Sequence, residues 1–469
     1  MGAYPVPAGG IKATLTGGNT VGAALRERAP RADGYRHLDT PALISRLLQL
    51  RVNTYLFCIW DCATDFDDLR DEFLPAAAVA GIDVIPYIVP PSETSSYGRA
   101  SRPYRLDYVG WAKAFAELAM KYPNLTAWAI DDFEVGENAE LFTPTYMREF
   151  LDVAAAIRPE LRFYTCAYFG KATDPEFLDK YAPYVDGIIY PFLDGRNENT
   201  TVADSLGACL DEILELTEPR GLELIPLIYT GRFLDAPLHA TPAYCTATLT
   251  TTARYVAAGR IPGVIAYGTQ LDDGPAPSAD NKALYGVGRL ALINNRAQTP
   301  ARSSASASQR VRVDPRLNRY EVSFWYHRWF LAPGIDPGVY QLELLIDGAV
   351  VWTMDLHEQR WPVWTNGDGM EGPVDVTKYV ADRNDVELTF RLRVLQATAG
   401  SYIDVGVDHV EALGLDIRNG GFEESGDWTL RTSGPLVSVI DHYLADRPAR
   451  IFAAIARCFD LPAVGPGGE

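Results

Sequence analysis

Trp128-Ala129-Ile130-Asp131-Asp132-Phe133-Glu134 is an apolar run that ends in three carboxylates. The part up to Ile130 reads as a buried strand. Crowding acids at a strand end costs stability, because like charges raise one another's pKa. A β/α barrel places its chemistry at the C-terminal ends of its strands. This stretch therefore predicts a barrel strand carrying a catalytic cluster.

The surrounding sequence repeats the theme of apolar run, polar loop and helix. Strand-like runs are Ile11–Leu15, Asn53–Trp60, Asp83–Val89, Leu125–Asp131, Arg162–Tyr168, Gly187–Phe192, Leu222–Tyr229 and Gly263–Tyr267. Between them, Pro41–Leu50, Asp67–Ala80, Tyr108–Tyr122, Thr145–Ile157, Asp204–Leu216 and Pro242–Ala258 carry apolar residues at helical spacing. Asp39-Thr40-Pro41, Thr143-Pro144 and Thr241-Pro242 are helix starts, and Gly81 is a stop. Strands alternating with helices imply a parallel sheet. Eight units predict a (β/α)8 TIM barrel over residues 1–297. Thr16-Gly17-Gly18-Asn19 is too short for the phosphate loop of the rival doubly wound sheet.

Residues 298–310 are rich in Ser and Ala and read as a linker. Beyond it, β-rich runs such as Tyr320–Phe330, Gly338–Ile346, Val350–Leu356, Val386–Val394 and Tyr402–Leu413 alternate with turn signals. Residues 311–469 read as an antiparallel β-sandwich domain with a C-terminal helical segment, Pro435–Phe459. Trp361 and Trp364 are candidate sugar platforms in a loop.

The chain has 469 residues and a formal net charge of −19, which disfavours nucleic acid and anionic membrane surfaces as partners. No apolar run is long enough to span a bilayer. The first residues lack signal-peptide character, so the expected location is the cytoplasm, or outside the cell after loss of a leader. The six cysteines and six histidines show no zinc or disulfide spacing. No cofactor and no metal are expected.

Strand-end positions then give a polar, aromatic ring. Asp131, Asp132 and Glu134 are the candidate catalytic residues. Trp60, Asp61, Tyr87, Tyr168, Tyr190, Asp194, Tyr229, Arg232, Tyr267 and Gln270 are the candidate substrate-binding residues. Glycosidic bond cleavage needs a carboxylic acid for the leaving oxygen and a second carboxylate as nucleophile or base. Aromatic faces stack on sugar rings. Strand alternation, with Glu134 taken as inward, sends Asp132, Ile130 and Trp128 inward and Asp131 and Phe133 toward the helices. Glu134 is the expected general acid, tuned by Asp132.

Barrel, linker and sandwich together resemble a glycoside hydrolase with a carbohydrate-binding-like jelly-roll domain. Asp132-Phe133-Glu134 resembles the end of the acidic signature of chitinase-like enzymes, which implies Glu134 as acid and Tyr190 as a substrate contact. Ile130 stands where that signature has an earlier aspartate. Strand seven lacks the carboxylate of the large retaining clan. Asp375–Tyr379 and Asn419–Glu423 resemble segments of jelly-roll domains. The function expected is hydrolysis of an oligo- or polysaccharide. The alternatives are a non-catalytic carbohydrate-binding protein on a barrel scaffold and a carbohydrate lyase or isomerase.

Overall fold

The computed structural model describes residues 25–60, 62–97, 99–133, 136–193, 202–231, 238–295, 298–330, 335–357, 369–399 and 402–460, with the backbone of 13–16. Eight parallel strands form a closed barrel: β1 (Ala13–Thr16), β2 (Thr54–Cys58), β3 (Asp83–Ile88), β4 (Ala127–Ile130), β5 (Arg162–Cys166), β6 (Gly187–Phe192), β7 (Glu223–Tyr229) and β8 (Val264–Tyr267). They pair in sequence order, and β1 pairs with β2 and β8, so no edge is left. The expected helix starts are real caps. Asp39, Thr143 and Thr241 accept from the backbone amides of Ala42, Tyr146 and Tyr244. Gly81 stops its helix with φ +71°.

Strands β2 to β8 are each buried on both faces, and the two faces pack differently. Leu56, Ile85, Ala127, Ala129, Ile189, Ile225, Leu227 and Ile265 fill the lumen. Val84, Ile88, Trp128, Ile130, Phe163, Ile188, Leu224 and Ile228 pack outward against the helices. This reverses the expected facing of β4. Trp128 lies in the outer shell, with ring centroids 4.4 Å from Phe163, 5.6 Å from Phe115 and 5.6 Å from Phe150. The reason is volume: the lumen accepts the small Ala127 and Ala129, while an indole needs the space under the helices. Asp131 therefore continues the inward face.

The chain divides into two compact units. The barrel unit runs to Pro275 and takes back the stretch from Asp446; the other unit runs from Ala276 to Ala445. The C-terminal helix, Arg447–Phe459, packs its Ile451, Ile455, Cys458 and Phe459 into the barrel's outer core. Val437–His442, expected to be helical, is a strand.

In the second unit the antiparallel sheets follow the orders Met370–Asp375, Glu321–Phe330, Tyr402–Leu413, Gly288–Asn295, Val437–His442, and Ala349–Asp355, Tyr340–Ile346, Asp385–Val394, Ser304–Val313, Leu415–Asp416. Thr429–Ser433 also pairs with Ser304–Val313. Leu292, Phe324 and Val405 of one sheet meet Ala307, Leu344 and Phe390 of the other in a shared core. The expected linker is thus mostly a strand within a sheet. Ala305 and Ala307 are fully buried while Ser304 and Ser306 face away, a period of two hidden by small side chains. Gly288–Asn295, assigned from sequence to the barrel, belongs to this unit.

A charged network is buried in this unit. Asp404 accepts from Arg289 at 2.8 and 3.0 Å and from Lys282 at 3.1 Å. Arg289 also donates to His327 Nε2 at 3.0 Å, which requires that nitrogen to be unprotonated. Burial, then the Arg289 charge, pushes His327 down to about 3. Among the described residues no helix is long and apolar enough to cross a membrane.

Candidate active site

The inward face of the barrel ends in aromatic rings. Trp60, Tyr87, Tyr229 and Tyr267 belong to the lumen cluster, and Tyr168 packs against it. Trp60 and Tyr87 have ring centroids 5.5 Å apart, and Tyr229 and Tyr267 meet edge-on at 5.4 Å. Strand parity explains the set: each continues the lumen face of its strand.

Against these rings stand Asp131 and Asp132, both half-buried. The Asp131 amide completes the ladder by donating to the Ile88 carbonyl at 2.9 Å, and the Phe133 amide donates to the Cys166 carbonyl at 3.2 Å. Between them Asp132 has φ +36°, the left-handed region in which Asp is among the better tolerated residues. This twist breaks strand alternation. It brings the carboxyl of Asp132 to the same side as that of Asp131, so one carboxyl oxygen of each and the Cys166 sulfur lie within 4.8 Å of one another. Asn138, fully buried, fixes the twist by donating to the Asp132 carbonyl at 2.6 Å.

The two carboxyls have different partners. Asp131 Oδ1 accepts from the Tyr87 hydroxyl at 2.6 Å and from the Asp132 amide at 3.0 Å. The Cys166 thiol adds a third hydrogen bond. All three donors favour the carboxylate, yet burial outweighs them and holds Asp131 above its ordinary pKa. Asp132 is raised by burial and then by the Asp131 charge, against hydrogen bonds from Tyr168 and Glu93. Two full charges no more than 4.8 Å apart repel by about 3–4 kcal/mol or more at an effective dielectric constant near 20. The pair therefore titrates as a unit, and one proton stays on it well above the usual carboxylate range. The donors collected on Asp131 place that proton on Asp132. Burial, then the Asp131 charge, keeps the Tyr87 hydroxyl protonated far above its ordinary pKa, so it is a constant donor.

Several expected site residues fall elsewhere. Tyr190 is fully buried in the outer shell beside Phe169 and Phe192, because Ile189 and Leu193 take the lumen face of that strand and its end. It is not a mouth residue. The Gln270 amide is engaged in its own loop, donating to Asp272 at 2.7 Å and to the Gly274 carbonyl at 2.8 Å. Asp65, an acid just past β2 that was not among those expected residues, pairs with Arg26 at 2.5 Å and accepts from the Cys62 amide at 2.8 Å, a structural role. Glu134, Asp61, Asp194 and Arg232 lie outside the described residues, as do Trp361 and Trp364. Arg99, Cys166 and Asn138 were not singled out as site residues from sequence. Glu93 was visible as an acid just past strand three; nothing marked Asn138.

Among the described residues, two groups bring three ligand atoms within 4.8 Å of one another: Asp131, Asp132 and Cys166, and His37, Asp68 and Glu72. The second already holds positive charge, since Arg31 pairs with Glu72 and Arg26 Nη1 lies 3.5 Å from Asp68. In the first, the tyrosine, thiol and amide donors serve the carboxylates instead.

No protein-family model matches the chain, and no curated sequence matches it. Similar solved structures include a glucosidase from Croceicoccus marinus, 9% identical, with 86% of this chain and 98% of that one covered and a TM-score of 0.38. A xylanase from Cellvibrio japonicus is 12% identical over 55% of this chain and 86% of its own, with a TM-score of 0.35. An endoglucanase from Pseudomonas stutzeri is 13% identical over 55% and 85%, with a TM-score of 0.36.

Proposed function

We propose that the chain is a glycoside hydrolase acting on an oligo- or polysaccharide at the C-terminal mouth of its barrel. The observation that carries this reading is the Asp131–Asp132 pair, two carboxyls brought to one side of the strand end, one of which collects the Tyr87 hydroxyl and the Asp132 amide as donors. A protonated carboxyl beside an ionised one is the equipment for protonating a leaving oxygen while stabilising positive charge at the sugar carbon. In this reading Asp132 is the general acid and Asp131 the companion carboxylate. Trp60, Tyr87, Tyr168, Tyr229 and Tyr267 supply ring faces and hydroxyls for the sugar. Glu134 stays in the proposed constellation as a further carboxylate.

A pair this close leaves no room for the water of an inverting displacement, which needs roughly 6.5–9.5 Å between carboxyls. We propose retention, in which a carboxylate or an oxygen of the substrate itself bonds to the anomeric carbon as the protonated leaving oxygen departs, and water then hydrolyses the intermediate from the vacated face. A binding-only protein would not need a carboxyl held protonated near neutral pH. The test is a panel of aryl glycosides and polysaccharides assayed with the wild type, Asp132→Asn, Asp131→Asn and Glu134→Gln. Turnover by the wild type and its loss in Asp132→Asn support the reading. Saccharide binding without turnover across the panel would replace it with the carbohydrate-binding alternative.

A further inference from the structure

The chain from β1 to the helix Thr40–Gln49 runs on the C-terminal side of the barrel, the side of Asp131 and Asp132. Its described part, residues 25–39, doubles back as a strap. At the base, the Glu27 amide donates to the His37 carbonyl and the Asp39 amide to the Leu25 carbonyl, each at 2.9 Å. At the tip, the Arg31 and Gly34 amides donate to the Tyr35 and Arg31 carbonyls at 2.9 and 3.0 Å. The strap rests on Asp68 of the short helix Asp65–Asp68, a buried carboxylate that accepts from the Leu38 amide at 3.0 Å and the Thr64 hydroxyl at 3.1 Å. His37 lies between two carboxylates: its Nδ1 is 2.5 Å from Asp68 Oδ1 and its Nε2 is 2.7 Å from Asp33 Oδ2. An ionised carboxylate only accepts, so each ring nitrogen must carry a hydrogen and the ring is an imidazolium. Further partners keep both acids ionised: Arg26 Nη1 lies 3.5 Å from Asp68, and the Tyr35 amide donates to Asp33 at 3.1 Å.

We propose that His37 is a pH-sensitive latch: doubly protonated, it fastens the tip of the strap on the mouth side of the barrel, and loss of one proton frees the tip. A neutral imidazole has one N–H to offer two carboxylates. Asp68 is out of reach of water and keeps the hydrogen at Nδ1. The Asp33 side chain is 45% exposed and turns to water, while the Nε2 proton leaves to solvent. The tip is then held by Arg31, which bridges Glu27 and Glu72. The charged groups around the ring are Asp33, Glu27 and Arg31 of the strap, Arg26 at its base beside Asp65 and Asp68, and Glu72 of the helical turn Leu69–Phe73, with a carboxyl oxygen within 4.8 Å of a ring nitrogen. Burial lowers the pKa of His37, but the hydrogen bonds to Asp33 and Asp68 outweigh it and hold it above 6.5. A histidine raised in this way contributes fully below its ordinary pKa and loses that contribution as pH rises through its folded value, so the latch opens in alkali. The device is independent of the reaction proposed for the mouth.

The test is an NMR titration of the imidazole nitrogens in the full wild-type chain, with His37 assigned through His37→Gln, or through Asp33→Asn should that variant not fold. Both ring nitrogens of His37 should be protonated at pH 7, with a midpoint at least about one unit above the ordinary value. Asp33→Asn, at a half-exposed position, replaces an acceptor by an amide and should lower that midpoint by roughly one unit. Amide hydrogen exchange in the wild type reads the strap itself. Across the His37 midpoint the protection factors of Arg31 and Gly34 should fall by about tenfold or more, the equilibrium counterpart of a one-unit shift. Glu27 and Asp39 at the base should keep theirs. A midpoint at or below 6.5, a midpoint unmoved in Asp33→Asn, tip protection unchanged through the titration, or base and tip lost together each overturns the proposal.

Discussion

Tyr87→Phe removes one oxygen and leaves the ring against Trp60, 5.5 Å away. The lost contact is the 2.6 Å hydrogen bond to Asp131. A hydrogen bond to a charged group is worth about 1.5–3 kcal/mol. At 1.36 kcal/mol per unit this raises the pKa of Asp131 by roughly one to two units. The carboxyl is already above its ordinary value in the folded chain, chiefly through burial. A raised carboxyl contributes stability that is present at low pH and lost as pH rises through its folded pKa. The variant should therefore show little loss of stability in acid and about 1.5–3 kcal/mol above neutrality. In a pH profile of kcat/KM on an aryl glycoside, the acidic limb should move up by roughly one to two units, with activity recovering at higher pH. Two results would refute the reasoning: a profile superimposable on the wild type, or an equal loss at every pH with unchanged limbs.

Three further outcomes are expected. Ala305→Asp, which buries a charge in the sandwich core, should destabilise the second unit by several kcal/mol, whereas Ser306→Asp, whose side chain faces away, should melt within about 0.5 kcal/mol of the wild type. Equal tolerance of both would mean that this stretch is the linker its composition suggests. His327, held neutral in the folded chain, binds fewer protons there than when unfolded, so its contribution is complete above about pH 6.5 and is lost as pH falls toward 3; urea titrations over that window should show the loss, and His327→Gln should remove it. Proton NMR of the first product released should show the anomeric configuration of the substrate, and initial release of the opposite anomer would place the second carboxylate beyond the Asp131–Asp132 pair.

Periodicity made the barrel legible. Runs such as Asp83–Val89 and Gly187–Phe192 match the observed strands within a residue because both faces are apolar and the helices between them carry capping signals. The same two-sided burial hid which face looks inward. Trp128 and Tyr190 were read as lumen residues, yet apolar alternation is silent when both faces are buried, and only the volume available decides. The Asp131–Asp132 pair was visible as charge at a strand end. Its working geometry was not, because the φ of Asp132 is imposed by Asn138 through a contact formed only in three dimensions. Ser304–Val313 failed for another reason: small side chains make a strand look like a tether, although Ala305 and Ala307 already alternate with serines.

The central claim is that Asp132 delivers a proton to the leaving oxygen. Its most direct test is the leaving-group dependence of Asp132→Asn on a series of aryl glycosides of falling phenol acidity. The account predicts a loss of roughly 100-fold or more for poor leaving groups, shrinking toward wild-type rates for the most acidic phenols, which need little protonation. A uniform loss across the series, or wild-type turnover of the poorest leaving group, would contradict it.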